Sequence, residues 1–219
     1  MSGAVRLAVF DCDGTLVDGQ ADICAAMDAA FTGLGLTAPG RSAITRIVGL
    51  SLPQAMRRLL PGGEADLHAA LVDGYKAAYR QAREQGRITE PLFDGIRDML
   101  DGLRGAGWDL GVATGKSDRG LIHCLATHGL SDHFITLQTA DRHPSKPHPA
   151  MLEAALTEAM AMSGDAVMIG DTTFDIAMAV AAGVRPIGVA WGYHHAAELL
   201  AAGAVAVAET PAHLQEMLV

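Results

Sequence analysis

The feature that most constrains this chain is an alternation that begins at residue 92. The helical pattern DGIRDMLDGLRGAG is followed by the strand-like run WDLGVAT, LIHCLATHGL leads to FITLQT, and PAMLEAALTEAM leads to AVMIGD. FDIAMAVAAG then precedes VRPIGVAW, and AAELLAAG precedes AVAVAE. Short apolar strands alternating with helices imply βαβ units and a parallel sheet covered on both faces. The run RLAVFD near the N-terminus reads as one more strand of that sheet. The expected fold class is α/β, with a doubly wound, Rossmann-like parallel sheet as its core.

Residues from about 17 to 90 break the rhythm. ADICAAMDAAFTGLG, SLPQAMRRLL and ADLHAALVDGYKAAYRQAREQG are helical patterns with no strand between them. They predict an α-helical domain at 17–89, inserted into an α/β core formed by 1–16 and 90–219. Pro91 and Gly95 mark the return point. With 219 residues, half of them hydrophobic, the chain can bury a sizeable core, and at roughly 150 residues per domain one large domain plus an insert is reasonable. Only 5% of residues are aromatic, so aliphatic and Ala-rich packing has to fill that core.

The net charge of −9 argues against a nucleic-acid surface, which needs a basic stripe. No apolar run approaches the ~18 residues of a membrane span, and Arg6 and Asp11 bracket a run too short for a signal peptide, so the expected location is the cytoplasm. Cys12, Cys24 and Cys124 lie far apart with no CxxC pair and read as reduced thiols. Nine scattered histidines show no HExxH spacing, which argues against zinc. A monomer and a homodimer are both compatible with the sequence.

Chemistry-bearing residues gather at strand ends. In LAVFDCDGTLVD an apolar strand finishes in Asp11 and Asp13, two apart and so on the same side of an extended chain, with Gly14 to end it. Ligands of open parallel sheets bind beyond the carboxyl ends of strands. Two ionised carboxylates so close need a shared cation or a proton, although DxDG alone is equally an Asx-turn. A second strand, AVMIG, ends in GDTTFD, where Asp171 and Asp175 share a face if a helix starts there; Asp171 as a simple helix cap is the alternative. Carboxylates from two strand ends make a hard-oxygen pocket suited to Mg²⁺. Lys146 in HPSKPHPAM is either a solvated loop lysine or a cation held beside a carboxylate and a phosphate. In VATGK, Thr114 offers a hydroxyl and Gly115 an open backbone N–H to phosphate, or the segment is only a polar turn. Cys12 should face the opposite side and pack into the core, and the His194-His195 pair reads as a solvated loop feature.

These four segments, in this order, resemble the motifs of the haloacid dehalogenase superfamily, phosphatase branch: DCDGTL the first, VATGK the second, SKPHP the third and GDTTFD the fourth. The resemblance spans nearly the whole chain. The helical stretch is similar to the small α-helical cap of phosphoglycolate-phosphatase-like members. It implies a Mg²⁺-dependent phosphomonoester hydrolase acting on a small phosphorylated metabolite. By this match Asp11 is the nucleophile and forms an aspartyl-phosphate, and Asp13 is the general acid and then the base. Asp11, the Asp13 backbone carbonyl and Asp171 hold Mg²⁺ with Asp175 in support, while Thr114 and Lys146 steady the phosphoryl group.

Two departures stand out. Gly115 replaces the usual Asn of the second motif, which removes a side-chain contact, and Phe93 is followed by Asp94-Gly95 where relatives carry Pro-Gly. Dehalogenases lack the second acid, so Asp13 speaks for phosphoryl transfer. The cap loop VGLSLPQAM has Leu52 where hexose-phosphate mutases resemble one another in carrying Arg; a mutase stays the runner-up if Arg46, Arg57 or Arg58 reaches a second phosphate. A pyrophosphatase or a non-catalytic phosphate-binding module ranks lower, because no catalytic group is missing. Arg46, Arg57, Arg58, Lys76 and Arg80 are candidates for substrate selection or, as the more ordinary reading for most of them, a solvated helix face.

Overall fold

Each strand expected from the alternation is present in the computed structural model, which describes residues 5–219. The strands are β1 (Arg6–Phe10), β2 (Trp108–Thr114), β3 (Thr136–Thr139), β4 (Ala166–Gly170), β5 (Arg185–Val189) and β6 (Ala206–Ala208). Around them lie helices α1 (Gln20–Gly33), α2 (Arg41–Thr45), α3 (Leu52–Leu59), α4 (Ala65–Glu84) and α5 (Ile96–Gly105). The remaining helices are α6 (Asp118–Thr127), α7 (Ala150–Ala159), α8 (Thr173–Ala182), α9 (Ala196–Ala201) and α10 (Pro211–Leu218).

All pairings in the sheet are parallel, in the order β3-β2-β1-β4-β5-β6. β1 is central and buried on both faces, and its side chains divide by the two-residue period of a strand. Ala8 and Phe10 pack with Leu100 of α5, Leu121 of α6 and Leu214 of α10. Leu7 and Val9 pack on the other side with Met151 of α7 and Met178 of α8. The direction of winding reverses between β1 and β4, the switch point at which an open α/β sheet leaves a crevice. That places the ends of β1 and β4, and therefore Asp11 and Asp171, on the two sides of one cleft.

Helices α1 to α4 form a second layer with its own core, in which Met27 and Phe31 of α1, Ile44 of α2, Met56 of α3 and Leu71 of α4 are buried together. Two passes of chain join it to the sheet. Asp18 N donates to Pro91 O at 2.8 Å and Phe93 N to Leu16 O at 3.2 Å, with Val17 bridged to Leu92.

Two helices were absent from the sequence expectation. The five-residue α2 is too short to show a period, and Ile44 alone carries its apolar face. α10 has a start signal, since Thr210 caps it by accepting from His213 N and Pro211 stands at its first turn, with Leu214 and Leu218 buried. Among the described residues no helix is long and apolar enough to cross a membrane.

Candidate active site

The strand period stops sooner than the sequence implies. Asp11 N continues the ladder to Ile169 O at 2.9 Å, but the N–H groups of Thr15, Leu16 and Val17 all turn back onto Cys12 O. This curl gives the two aspartates different ion-pair partners, although both still face one cavity, as the strand period implies. Asp11 meets Lys146, while Asp13 meets Lys116.

Around Asp11 the arrangement is fully buried. Carboxylate oxygens of Asp11, Asp171 and Asp175 lie within 4.8 Å of one another. Lys146 Nζ is 2.9 Å from Asp11 Oδ1 and 2.6 Å from Asp175 Oδ1, with no solvent exposure of its side chain. Lys146 is thus a buried bridge, not a solvated loop residue. Cys12 N also donates to Asp11 Oδ1 at 2.7 Å, whereas Asp11 Oδ2 is buried with no hydrogen-bond partner among the described residues. Asp171 Oδ1 accepts from Thr15 Oγ1 at 3.0 Å and its Oδ2 from Tyr193 N at 2.9 Å. Asp171 is not the cap of α8. That cap is Thr172, whose hydroxyl donates to Asp175 Oδ2 at 2.6 Å while Asp175 Oδ2 also accepts from Thr172 N at 3.0 Å.

Asp13 Oδ1 accepts from Lys116 Nζ at 2.8 Å, and the same ammonium lies 2.5 Å from Glu90 Oε1. Tyr79 on α4 donates its hydroxyl to that Glu90 oxygen. The sequence pattern assigns no role to Lys116, Glu90 or Tyr79. Lys116 was within sight as the last residue of VATGK, but Glu90 and Tyr79 carry no motif.

Electrostatics follow from this packing. Burial pushes the Asp11 carboxyl up to about 7 despite Lys146, and nearby Asp175 adds to the rise. Burial, Asp175 and Asp11 raise Asp171 well above the carboxylate range. Burial alone would lower the Lys116 ammonium, but Asp13 and Glu90 hold it well above the ordinary lysine value. Five carboxylates (Asp11, Asp13, Glu90, Asp171, Asp175) therefore share a buried region with two ammoniums.

Thr114 is buried at the end of β2, and its hydroxyl accepts from Lys116 N at 3.2 Å. A Cβ on Gly115 would stand 2.5 Å from Leu50 O and 2.7 Å from Gly49 O, so backbone of the helical layer occupies the space a side chain would fill. Thr114 and Gly115, with Asp11, Asp13 and Leu52, line a cavity of about 490 Å³ between the helical layer and the strand ends. Lys76 and Arg80 line it as well. Arg46, Arg57 and Arg58 do not. Arg46 makes a two-pronged contact with Glu198 at 2.6 Å per prong, Arg58 lies over the Phe174 ring, and Arg57 lines a separate surface depression.

One further reading changes. His194 is buried at 4% exposure, bonded through Nδ1 to Thr173 N and through Nε2 to Arg46 O, whereas His195 is exposed in the turn that precedes α9, as expected. Cys12 packs into the core as expected, but 4.0 Å from Cys124 Sγ, although 112 residues separate the two thiols.

This geometry matches known proteins along nearly the full chain. The family model described as haloacid dehalogenase-like hydrolase matches residues 8–189. The Dickeya dadantii (strain 3937) protein named "Probable phosphatase IndB" is 36% identical over 93% of this chain and 89% of its own length. The phosphoglycolate phosphatase of Pseudomonas putida is 32% identical over 87% of this chain and 71% of its own. Among solved structures, a haloacid dehalogenase-like hydrolase from Bacteroides fragilis superposes with a TM-score of 0.88 at 25% identity, covering 96% of this chain and 99% of that one. With the sheet order, the acids at the ends of β1 and β4 and these matches in agreement, the chain belongs to the haloacid dehalogenase-like hydrolase family.

Proposed function

We propose that this chain is a Mg²⁺-dependent phosphomonoester hydrolase, phosphoglycolate-phosphatase-like, that works on a small phosphorylated metabolite through an aspartyl-phosphate on Asp11. One observation carries the reading: Asp11 Oδ2 is buried and, among the described residues, free of any hydrogen bond, while Oδ1 is held by Lys146 and by the Cys12 N–H. A carboxylate fixed at one oxygen and bare at the other is built as a nucleophile. The phosphatase names of the 36% and 32% identical relatives support the same chemistry.

The donor set also fits a hard dication. Three buried carboxylates offer only oxygen, and among the described residues no histidine or cysteine joins their cluster. Asp11, Asp171 and the Asp13 backbone carbonyl would hold Mg²⁺. Asp175 would support from behind, because both its oxygens already bind Lys146 and Thr172. The ion would supply positive charge to offset the repulsion between an acid-rich pocket and a phosphate dianion.

The residues of the chain do the rest. Asp11 Oδ2 forms a bond to phosphorus as the bond from phosphorus to the ester oxygen breaks, and Asp13 delivers a proton to the departing alcohol. Asp13 then takes a proton from water as that water attacks phosphorus and the bond to Asp11 Oδ2 breaks. The Thr114 hydroxyl, the Gly115 N–H and the Lys146 ammonium meet the phosphoryl oxygens and stabilise their charge in the transition state. Residues 17–89 act as a cap that closes on 1–16 and 90–219 and excludes bulk water. Leu52 lining the cavity, with Arg46, Arg57 and Arg58 outside it, favours hydrolysis over a mutase.

Asp11→Asn is the direct test. The variant should lose Mg²⁺-dependent release of phosphate from p-nitrophenyl phosphate; undiminished turnover would rule out Asp11 as nucleophile.

A further inference from the structure

The proton donor of the proposed reaction has an anchor of its own. Asp13 Oδ1 is taken by Lys116 Nζ at 2.8 Å, and among the described residues no hydrogen bond reaches Asp13 Oδ2. Lys116 is in turn bracketed, with Glu90 Oε1 at 2.5 Å, and Tyr79 donates to that same oxygen. The side chains of Lys116 and Asp13 are 10% exposed and that of Glu90 4%, so solvent competes little for these contacts. The four residues come from four places: the turn after β1, the turn after β2, the return from the helical layer, and the middle of α4.

Attack by Asp11 makes no use of Glu90. Its carboxylate nonetheless adds negative charge to a region already rich in acids, and its backbone has φ +33°, a conformation that disfavours any residue with a Cβ. Glu90 N donates to Asp22 Oδ2 at 3.3 Å, and His128 Nε2 lies 2.8 Å from Glu90 O, so the surroundings enforce this backbone. Strain maintained by its neighbours points to a role for the residue that bears it. Lys116 supplies that role. Without Glu90 the ammonium is free to swing among the acids, whereas between Glu90 and Asp13 it has one position.

We infer that Glu90 is a positioning residue for the general acid: Glu90 fixes Lys116, Lys116 fixes Asp13 Oδ1, and Tyr79 ties this set of contacts to α4 of the cap. The inference rests on the phosphatase reading above. Proton delivery needs the free Asp13 oxygen within hydrogen-bond reach of the ester oxygen, so its alignment matters most where the alcohol leaves poorly. Nitrophenolate departs with little help from a proton; an alkoxide does not.

The experiment compares kcat/KM, which reports the step that breaks the ester bond, for wild type, Glu90→Gln and Tyr79→Phe. The substrates are p-nitrophenyl phosphate and glycerol phosphate, with Mg²⁺ present throughout. For Glu90→Gln the expected loss is on the order of a hundred-fold with the alkyl ester and at least ten-fold smaller with the aryl ester. Tyr79→Phe should show the same preference at smaller amplitude, and it decides the matter alone if Glu90→Gln does not fold. A loss by the same factor on both esters, as general structural damage would give, overturns the inference, and so does no loss on either. A wild type that hydrolyses neither ester refutes the phosphatase reading itself and this inference with it.

Discussion

At Asp11, removal from water outweighs the attraction of the adjacent lysine. Burial, with Asp175 close by, holds its carboxyl at about 7 against an ordinary 3.8, and Asp171 is displaced in the same direction. The folded chain therefore binds more protons than the unfolded one between those pH values, and its stability falls as pH rises through that window. The contribution is complete below about 3.8 and gone above about 7. A dication bound among these acids would displace the proton, so the stabilisation it gives would grow over the same range. Thermal midpoints with EDTA and with Mg²⁺ should diverge from pH 5 to pH 8; a gap that narrows with rising pH would contradict metal binding by these carboxylates. Asp11 and Asp171 were legible in the sequence because each directly ends an apolar run. The partner of Asp13 was not, since Lys116 lies 103 positions away and nothing local marks the pairing.

Among the elements, the loop between α2 and α3 bears most directly on the site. Gly49 and Leu50 lie against Gly115, so the turn after β2 must be free of a side chain for the helical layer to sit as it does. The sequence showed Gly115 as a lost Asn contact, whereas the tertiary structure shows it as a point of close approach. Gly115→Ala should push Gly49 and Leu50 away from the strand ends. Because misplacement by about 1 Å costs up to ~10²-fold, kcat/KM should drop by roughly ten- to a hundred-fold. The loss of stability in urea should stay within about 1–3 kcal/mol, the usual cost of overpacking. Unchanged turnover would show that the loop does not need this contact. The span of α8 was legible in FDIAMAVAAG, but its start was not: Asp171 stood as the candidate cap, whereas Thr172 forms the capping box with Asp175. α10 has an equally local cap at Thr210 and Pro211, but its eight residues offer only two turns of apolar period.

Across the whole molecule, few polar contacts hold the helical layer against the sheet. Ser51 N donates to Ser145 Oγ at 2.8 Å, Tyr79 of α4 donates to Glu90, His194 reaches Arg46 O, and the Arg46–Glu198 pair is solvent-exposed and correspondingly weak. Two passes of chain near residues 17 and 92 form the covalent connection. A layer with its own core, so attached, is suited to hinge motion. Solution scattering should show a smaller radius of gyration with Mg²⁺ and vanadate than with neither, and identical curves would count against closure of a cap. The sequence by itself determined the parallel sheet, the helical insert and the acids at two strand ends, because periodicity and strand termination depend on near neighbours. Tertiary structure alone decided which charges meet: Lys146 between Asp11 and Asp175, and Lys116 between Asp13 and Glu90. Buried charges must find partners wherever the fold brings them, and distance along the chain places no limit on that choice.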